Sequence, residues 1–229
     1  GCDAFVYSRL GYGRSAPLDG PRGVRYMHDE ALVALPDVLR AAAVVRPLLV
    51  GHSDGGSIAL IHAGSGHPVA GLVLLAPHVF VEDVSIASIA AAGRAYEETD
   101  LRARLARYHD DVDSAFRGWN DVWLHPAFRA WSIEGVLRDV RCPILAIQGE
   151  DDEYGTMDQI ERIARLGSYR WKAGEQGAEW SPGMFRLLGY APDEVTPSPQ
   201  AFFGRIHPDD LAIVQAGLAE ALTERKIGD

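Results

Sequence analysis

Two short stretches of this 229-residue chain hold residues suited to chemistry. One is Gly51-His52-Ser53-Asp54-Gly55, a serine set between glycines; the other is the acidic turn Glu150-Asp151-Asp152-Glu153. A serine hydroxyl attacks an acyl carbonyl effectively when a base takes its proton and backbone amides receive the developing oxyanion. A carboxylate assists by fixing the orientation of the imidazole that serves as that base. The serine spacing alone is common in loops, so its meaning depends on the elements around it.

Those elements are favourable. Leu48-Leu49-Val50 reads as an apolar strand, and Ser57–Ala63 after the motif as a short helix of small residues. A serine on so sharp a strand-to-helix turn is held in strained geometry with its hydroxyl at the strand's carboxyl end. The Asp54 amide then opens the helix and points where an oxyanion would form. Gly51 and Gly55 are expected to leave room for strand and helix to cross closely.

Four apolar runs, Ala4–Tyr7, Pro47–Val50, Gly71–Ala76 and Pro143–Gln148, each end in a turn rich in Gly, Pro or Asp. Uninterrupted Val, Leu and Ile suit strands buried on both faces. Tyr26–Ala43 repeats Leu32, Leu35, Val38 and Leu39 at helical spacing, and Met157–Leu166 predicts a further helix. The rhythm predicts an α/β fold, a doubly wound and mostly parallel sheet. A helical insertion over about 82–137, with Phe116, Trp119, Trp123, Phe128 and Trp131, interrupts it as a cap over the strand ends.

Gly51–Leu60 (GHSDGGSIAL), Ser8–Ser15 (SRLGYGRS) and Cys142–Gly155 (CPILAIQGEDDEYG) together resemble the α/β-hydrolase family, in the family's order, from Gly1 to about Leu166. The resemblance implies Ser53 as nucleophile, the Asp54 amide as oxyanion donor and Asp152 as the acid, with Asp151 ranked second. The competing account of 150–153 is a solvated turn, and position at the end of an apolar strand favours Asp152 over it. The family's histidine follows the acid after one more helix and strand. Here the helix is predicted, but the sequence then runs into Gly167-Ser168-Tyr169.

The histidines each have another reading. His52 lies inside the motif; His28, His62, His67 and His78 precede the acid on helices or turns; His109 and His125 belong to the insertion. His207 alone follows Asp152, in a segment of different character. The family's second oxyanion donor belongs to a loop before Gly1, and the lack of an initiating methionine leads us to expect further sequence upstream. Low or no turnover is the expectation for this polypeptide.

From about 167 the composition changes. Tyr169-Arg170-Trp171 and Ala178-Glu179-Trp180-Ser181 predict two strands around the turn Ala173–Gly177, and Asp209–Leu222 predicts a helix opened by Pro208 and two aspartates. These stretches, with Phe185–Tyr190 and His207–Leu211, resemble the first half of a PAS sensory domain over about 168–222. In that context His207 is structural. We therefore expect two domains, 1–166 and 167–229, each stopping inside its own fold as a fusion of fragments would.

Lys and Arg number 22 against 32 Asp and Glu, a net charge of −10, which argues against nucleic acid or an anionic membrane as partner. Two cysteines, Cys2 and Cys142, form no disulfide framework and no metal site. No stretch has the length of a membrane span. The expectation is a cytoplasmic serine hydrolase acting on a small apolar ester or related acyl substrate, without metal or cofactor. The alternatives are a signalling or binding protein built on the PAS-like part, and a fusion without function. Unfinished sheet edges lead us to expect self-association.

Overall fold

The computed structural model describes residues 4–167, 169–171, 178–180, 182–191, 194–206 and 211. The chain divides into two compact units, Gly1–Ile160 and Glu161–Asp229. The expected turn Ala173–Gly177, the helix Asp209–Leu222, Cys2, Ser168 and His207 lie largely or wholly outside the described residues.

The first unit is built on a parallel three-stranded sheet of order β1-β2-β3: β1 (Leu48–His52), β2 (Gly71–Leu75) and β3 (Ile144–Ile147). Register sets Leu49 against Leu72 and Val50 against Val73, and Val73 in turn against Leu145. Helix α3 (Asp54–Gly64) connects β1 to β2 and covers the face that carries Gly51, Leu72 and Leu74. On the opposite face Leu48, Val50, Leu145 and Ile147 are exposed, Val50 to 68%. The expected strand over Ala4–Tyr7 is not formed. Those residues are extended coil, Val6 is 91% exposed, and β1 stands at the sheet edge. An apolar run without a strand beside it has no partner for its amides and carbonyls, so pattern alone does not make it a strand.

The helix predicted over Tyr26–Ala43 is three joined pieces: α1 (Tyr26–Asp29), a π-helical turn Glu30–Ala34 and α2 (Leu35–Ala41). Pro36 has no N–H to offer the Ala31 carbonyl five residues back. That carbonyl accepts instead from His62 Nδ1 of α3 at 2.8 Å, so the proline that disturbs the helix also ties it to its neighbour.

The insertion is helical as expected, with α4 (Asp83–Glu98), α5 (Leu101–Leu105), α6 (Val112–Leu124), a 3-10 turn Pro126–Ala130 and α7 (Glu134–Leu137). Asp111 caps α6 by accepting the Ser114 amide at 2.9 Å. Tyr96 of α4 stacks on Phe116 of α6 with ring centres 3.9 Å apart. Arg102 and Tyr96 bond to Asp113, holding its carboxyl down at about 2. Helix α8 (Asp158–Gly167) follows the acidic turn.

In the second unit β4 (Tyr169–Trp171) pairs antiparallel with β5 (Ala178–Trp180), then come α9 (Pro182–Leu187) and α10 (Pro199–Phe203). Trp180, Met184 and Phe185 form its small core, packed by Leu188, Tyr190 and Phe202. Among the described residues no helix is long and apolar enough to cross a membrane.

Candidate active site

Ser53 occupies the turn between the last residue of β1 and the first of α3, at φ +51° and ψ −121°. A positive φ outside glycine is uncommon and strained, and it persists only where surrounding contacts dictate it. Here the Ser53 amide donates to Leu75 O at 2.8 Å, pinning the turn to the end of β2, and the Gly56 amide donates to Ser53 O at 2.9 Å. A Cβ on Gly51 would lie 2.3 Å from the Gly55 carbonyl oxygen, so this glycine is required by space. The expectation for Gly55 fails: a Cβ there would meet nothing within 4 Å. The close approach falls to Gly56, whose Cβ would sit 3.0 Å from Pro77 Cβ. The helix rotates Gly55 away from the strand, while Gly56 faces the loop after β2.

Asp54 opens α3, so its amide lies at the positive end of an eleven-residue helix. Its side chain does something the sequence did not suggest. It turns inward, and the residue is only 5% exposed. Tyr26 Oη donates to Asp54 Oδ2 at 2.6 Å, and Trp123 Nε1 donates to Tyr26 Oη at 3.0 Å and to Asp54 Oδ1 at 3.3 Å. Arg9 Nη2 stands 3.8 Å from Oδ2 as the matching charge. Burial first, and then the adjacent carboxylate, push the Tyr26 phenol well above its ordinary range, so it stays a donor.

Asp152 lies half-buried in the turn after β3, where its Oδ1 accepts the Tyr154 amide at 2.8 Å; Asp151 beside it is exposed. Side-chain hydrogen bonds stitch this turn to the cap. Ser85 Oγ donates to Tyr154 O at 2.5 Å, Ser88 Oγ to Glu153 O at 2.6 Å, and Thr156 Oγ1 to Glu82 Oε1 at 2.6 Å.

The histidines are distributed among other partners. His62 serves Ala31 and stacks on His67, while His109 Nδ1 accepts the Gly13 amide and His125 Nδ1 the Ala127 amide. None of these bonds reaches Ser53. His78 is different, and sequence order alone had set it aside. It follows Ala76, which has φ +45°, and Pro77 at the carboxyl end of β2. Ser57 Oγ, one helical turn beyond Ser53, accepts the His78 amide at 3.2 Å and donates to its carbonyl at 2.6 Å. The His78 ring is buried edge-on to Trp123 at 4.9 Å, and among the described residues its Nδ1 has no hydrogen-bond partner. Burial lowers its pKa, and Asp54, Asp152 and Glu82 oppose that shift. Its signal in the sequence was position: ligands in open α/β sheets bind beyond the carboxyl ends of the strands.

Phe128, Trp131, Trp123 and His78 thus form an aromatic layer, with Trp123 to Phe128 at 4.9 Å and Phe128 to Trp131 at 5.4 Å. Among the described residues no group of three or more His, Cys, Asp or Glu is placed to hold a metal ion.

The sequence model of the Alpha/beta hydrolase family matches residues 1–188, and that of the PAS fold matches residues 178–228. No curated protein shows significant similarity to the chain. Among solved structures, a carboxylesterase of the ammonia-oxidizing thaumarchaeon Nitrososphaera gargenis superposes with a TM-score of 0.52 at 15% identity, covering 69% of this chain and 65% of that one. A bacterial membrane phospholipase A described as a virulence factor gives 0.50 at 21% identity, covering 67% of this chain and 56% of that one. The chain therefore spans less than two-thirds of the length of either.

Proposed function

The chain belongs to the α/β hydrolase family, and on that premise we propose that it carries a serine-hydrolase centre for a small apolar ester or related acyl substrate, impaired in turnover. Ser53 is the nucleophile, the Asp54 amide receives the oxyanion, and Asp152, with Asp151 second, is the carboxylate that orients an imidazole. The observation that carries the reading is the strained backbone of Ser53 between β1 and the amino terminus of α3. Strain at a strand-to-helix turn holds the hydroxyl at the sheet's carboxyl edge, and the helix end favours negative charge beside it.

Impairment follows from the base. None of the histidine hydrogen bonds described above reaches Ser53, and without a base a serine hydroxyl is a poor nucleophile at neutral pH. The test is a fluorophosphonate probe followed by mass spectrometry, beside hydrolysis of a p-nitrophenyl ester. Slow labelling confined to Ser53 and lost in Ser53→Ala, with little ester turnover, is the expected result. Labelling that persists in Ser53→Ala would remove the nucleophile assignment. Brisk turnover dependent on Ser53 would remove the impairment.

A second reading rests on the PAS fold match over 178–228: a binding or signalling role for that part, with the hydrolase part inert. Ligand binding or dimerisation lost on deleting 167–229, with no label on Ser53, would favour it.

A further inference from the structure

We infer that the Asp54 carboxylate is a positioning group, which ties the proposed oxyanion-binding amide of the same residue to Trp123 of the cap. The inference deepens the Ser53 reading and rests on it. A carboxylate on the first residue of a helix ordinarily faces water, where the helix dipole already favours it. Asp54 gives up that solvation, and burial of this kind persists only with matched hydrogen bonds and charge. Each requirement is met from a different part of the chain. Tyr26 comes from α1, Trp123 from α6, and Arg9 from the loop ahead of α1. The contact of 2.6 Å from the phenol is in the range of a charge-assisted bond.

The geometry places the backbone that matters between two restraints. On one side Ser53 N is held by Leu75 O, and on the other the Asp54 side chain is held by the Tyr26–Trp123 pair. Trp123 is 1% exposed and fixed by Phe128 and His78, so α6 cannot lift without withdrawing its N–H from Asp54 and Tyr26 together. The direction of the Asp54 amide is thereby coupled to the seating of the cap.

Trp131 provides the control. It belongs to the same aromatic layer and is similarly buried, but its Nε1 has no partner among the described residues. Replacing either tryptophan by phenylalanine removes the indole N–H and trims the ring, and only Trp123 has a bond to lose. With the intact chain and the fluorophosphonate probe, Trp123→Phe and Tyr26→Phe should each reduce the maximal Ser53 labelling rate about tenfold, as a small misplacement at a reacting centre does. The half-saturating probe concentration should hold. Each of these two changes strips a buried carboxylate network of a hydrogen bond and should melt lower than Trp131→Phe, so labelling rates are compared per folded molecule, below the melting transition. Equal labelling rates in Trp123→Phe and Trp131→Phe overturn the inference. A rate that falls only in step with the unfolded fraction overturns it too, since that is what mere anchoring of the fold predicts. A wild-type chain without Ser53 labelling overturns the Ser53 reading and this inference together, which distinguishes the two failures.

Discussion

Gln159 Oε1 accepts the amide of Val79 at 2.7 Å, joining the first turn of α8 to the loop after β2 across 80 positions of sequence. The same side chain donates from Nε2 to Glu82 Oε2 at 2.6 Å and to Phe80 O at 3.1 Å, and it is fully buried. One amide therefore fixes the loop that carries His78 against the turn that carries Asp152. Gln159→Ala strips the Val79 amide of this acceptor, and a buried group left unsatisfied costs about 1–3 kcal/mol. Urea unfolding should show a stability lowered by that amount, with the midpoint moved down in proportion, and an unchanged midpoint would show that the loops are held elsewhere.

Gly51 and Gly55 should part company under substitution. Gly51→Ala forces a Cβ to within 2.3 Å of a backbone oxygen, which neither strand nor helix can move to relieve. Overpacking of that severity is expected to cost about 3 kcal/mol or more and to reduce soluble yield. Gly55→Ala meets nothing within 4 Å and replaces a flexible residue on a helix, so it should be neutral or stabilising by up to about 1 kcal/mol. Thermal melts of the two variants decide the matter.

Acid should weaken the fold as its buried histidines take up protons. His78 and His62 both have lowered pKa values, in each case through burial first; His52 adds to the effect on His78, and His67 to that on His62. Their unfolded forms take up protons near the ordinary value of 6.5, earlier than the folded forms do. Their stabilising contribution is therefore complete above about pH 6.5 and declines as pH falls toward the folded values. The urea midpoint should drop between neutral pH and about pH 5, and His78→Phe should flatten that slope. A profile that rises on acidification would contradict the assignment.

The bare face of the sheet is expected to drive self-association. Leu48, Val50, Leu145 and Ile147 are between 46% and 68% exposed on one side of three paired strands. Contiguous apolar surface of this kind seeks cover, and charged residues on exposed strands are how natural sheets avoid it. Sedimentation velocity should show concentration-dependent association, and Val50→Lys with Leu145→Lys should shift the chain toward monomer. Unchanged association in that double variant would move the contact to another surface.

The sequence by itself determined what nearest neighbours along the chain decide. Apolar runs at 48–50, 71–75 and 144–147 announce strands because uninterrupted aliphatic residues suit a pleated sheet, and strands form there, although Leu48, Val50, Leu145 and Ile147 lie exposed on one face rather than buried on both. The turn at Ser53 was legible because a strand, a glycine-flanked serine and a helix lie within a dozen residues. The helical insertion and the PAS match were legible for the same reason, each carried by compact local motifs. Tertiary structure alone decided what depends on distance through the fold. Residues 4–7 have the pattern of a strand but no neighbour to pair with. Gly56, rather than Gly55, meets the loop after β2, a matter of helical rotation against a segment 21 positions away at Pro77. Asp54 could be read as an amide donor from its place after Ser53. That its carboxylate turns inward, toward Tyr26 at a separation of 28 and Trp123 at 69, is set by packing of the cap on the sheet, and no local pattern encodes it.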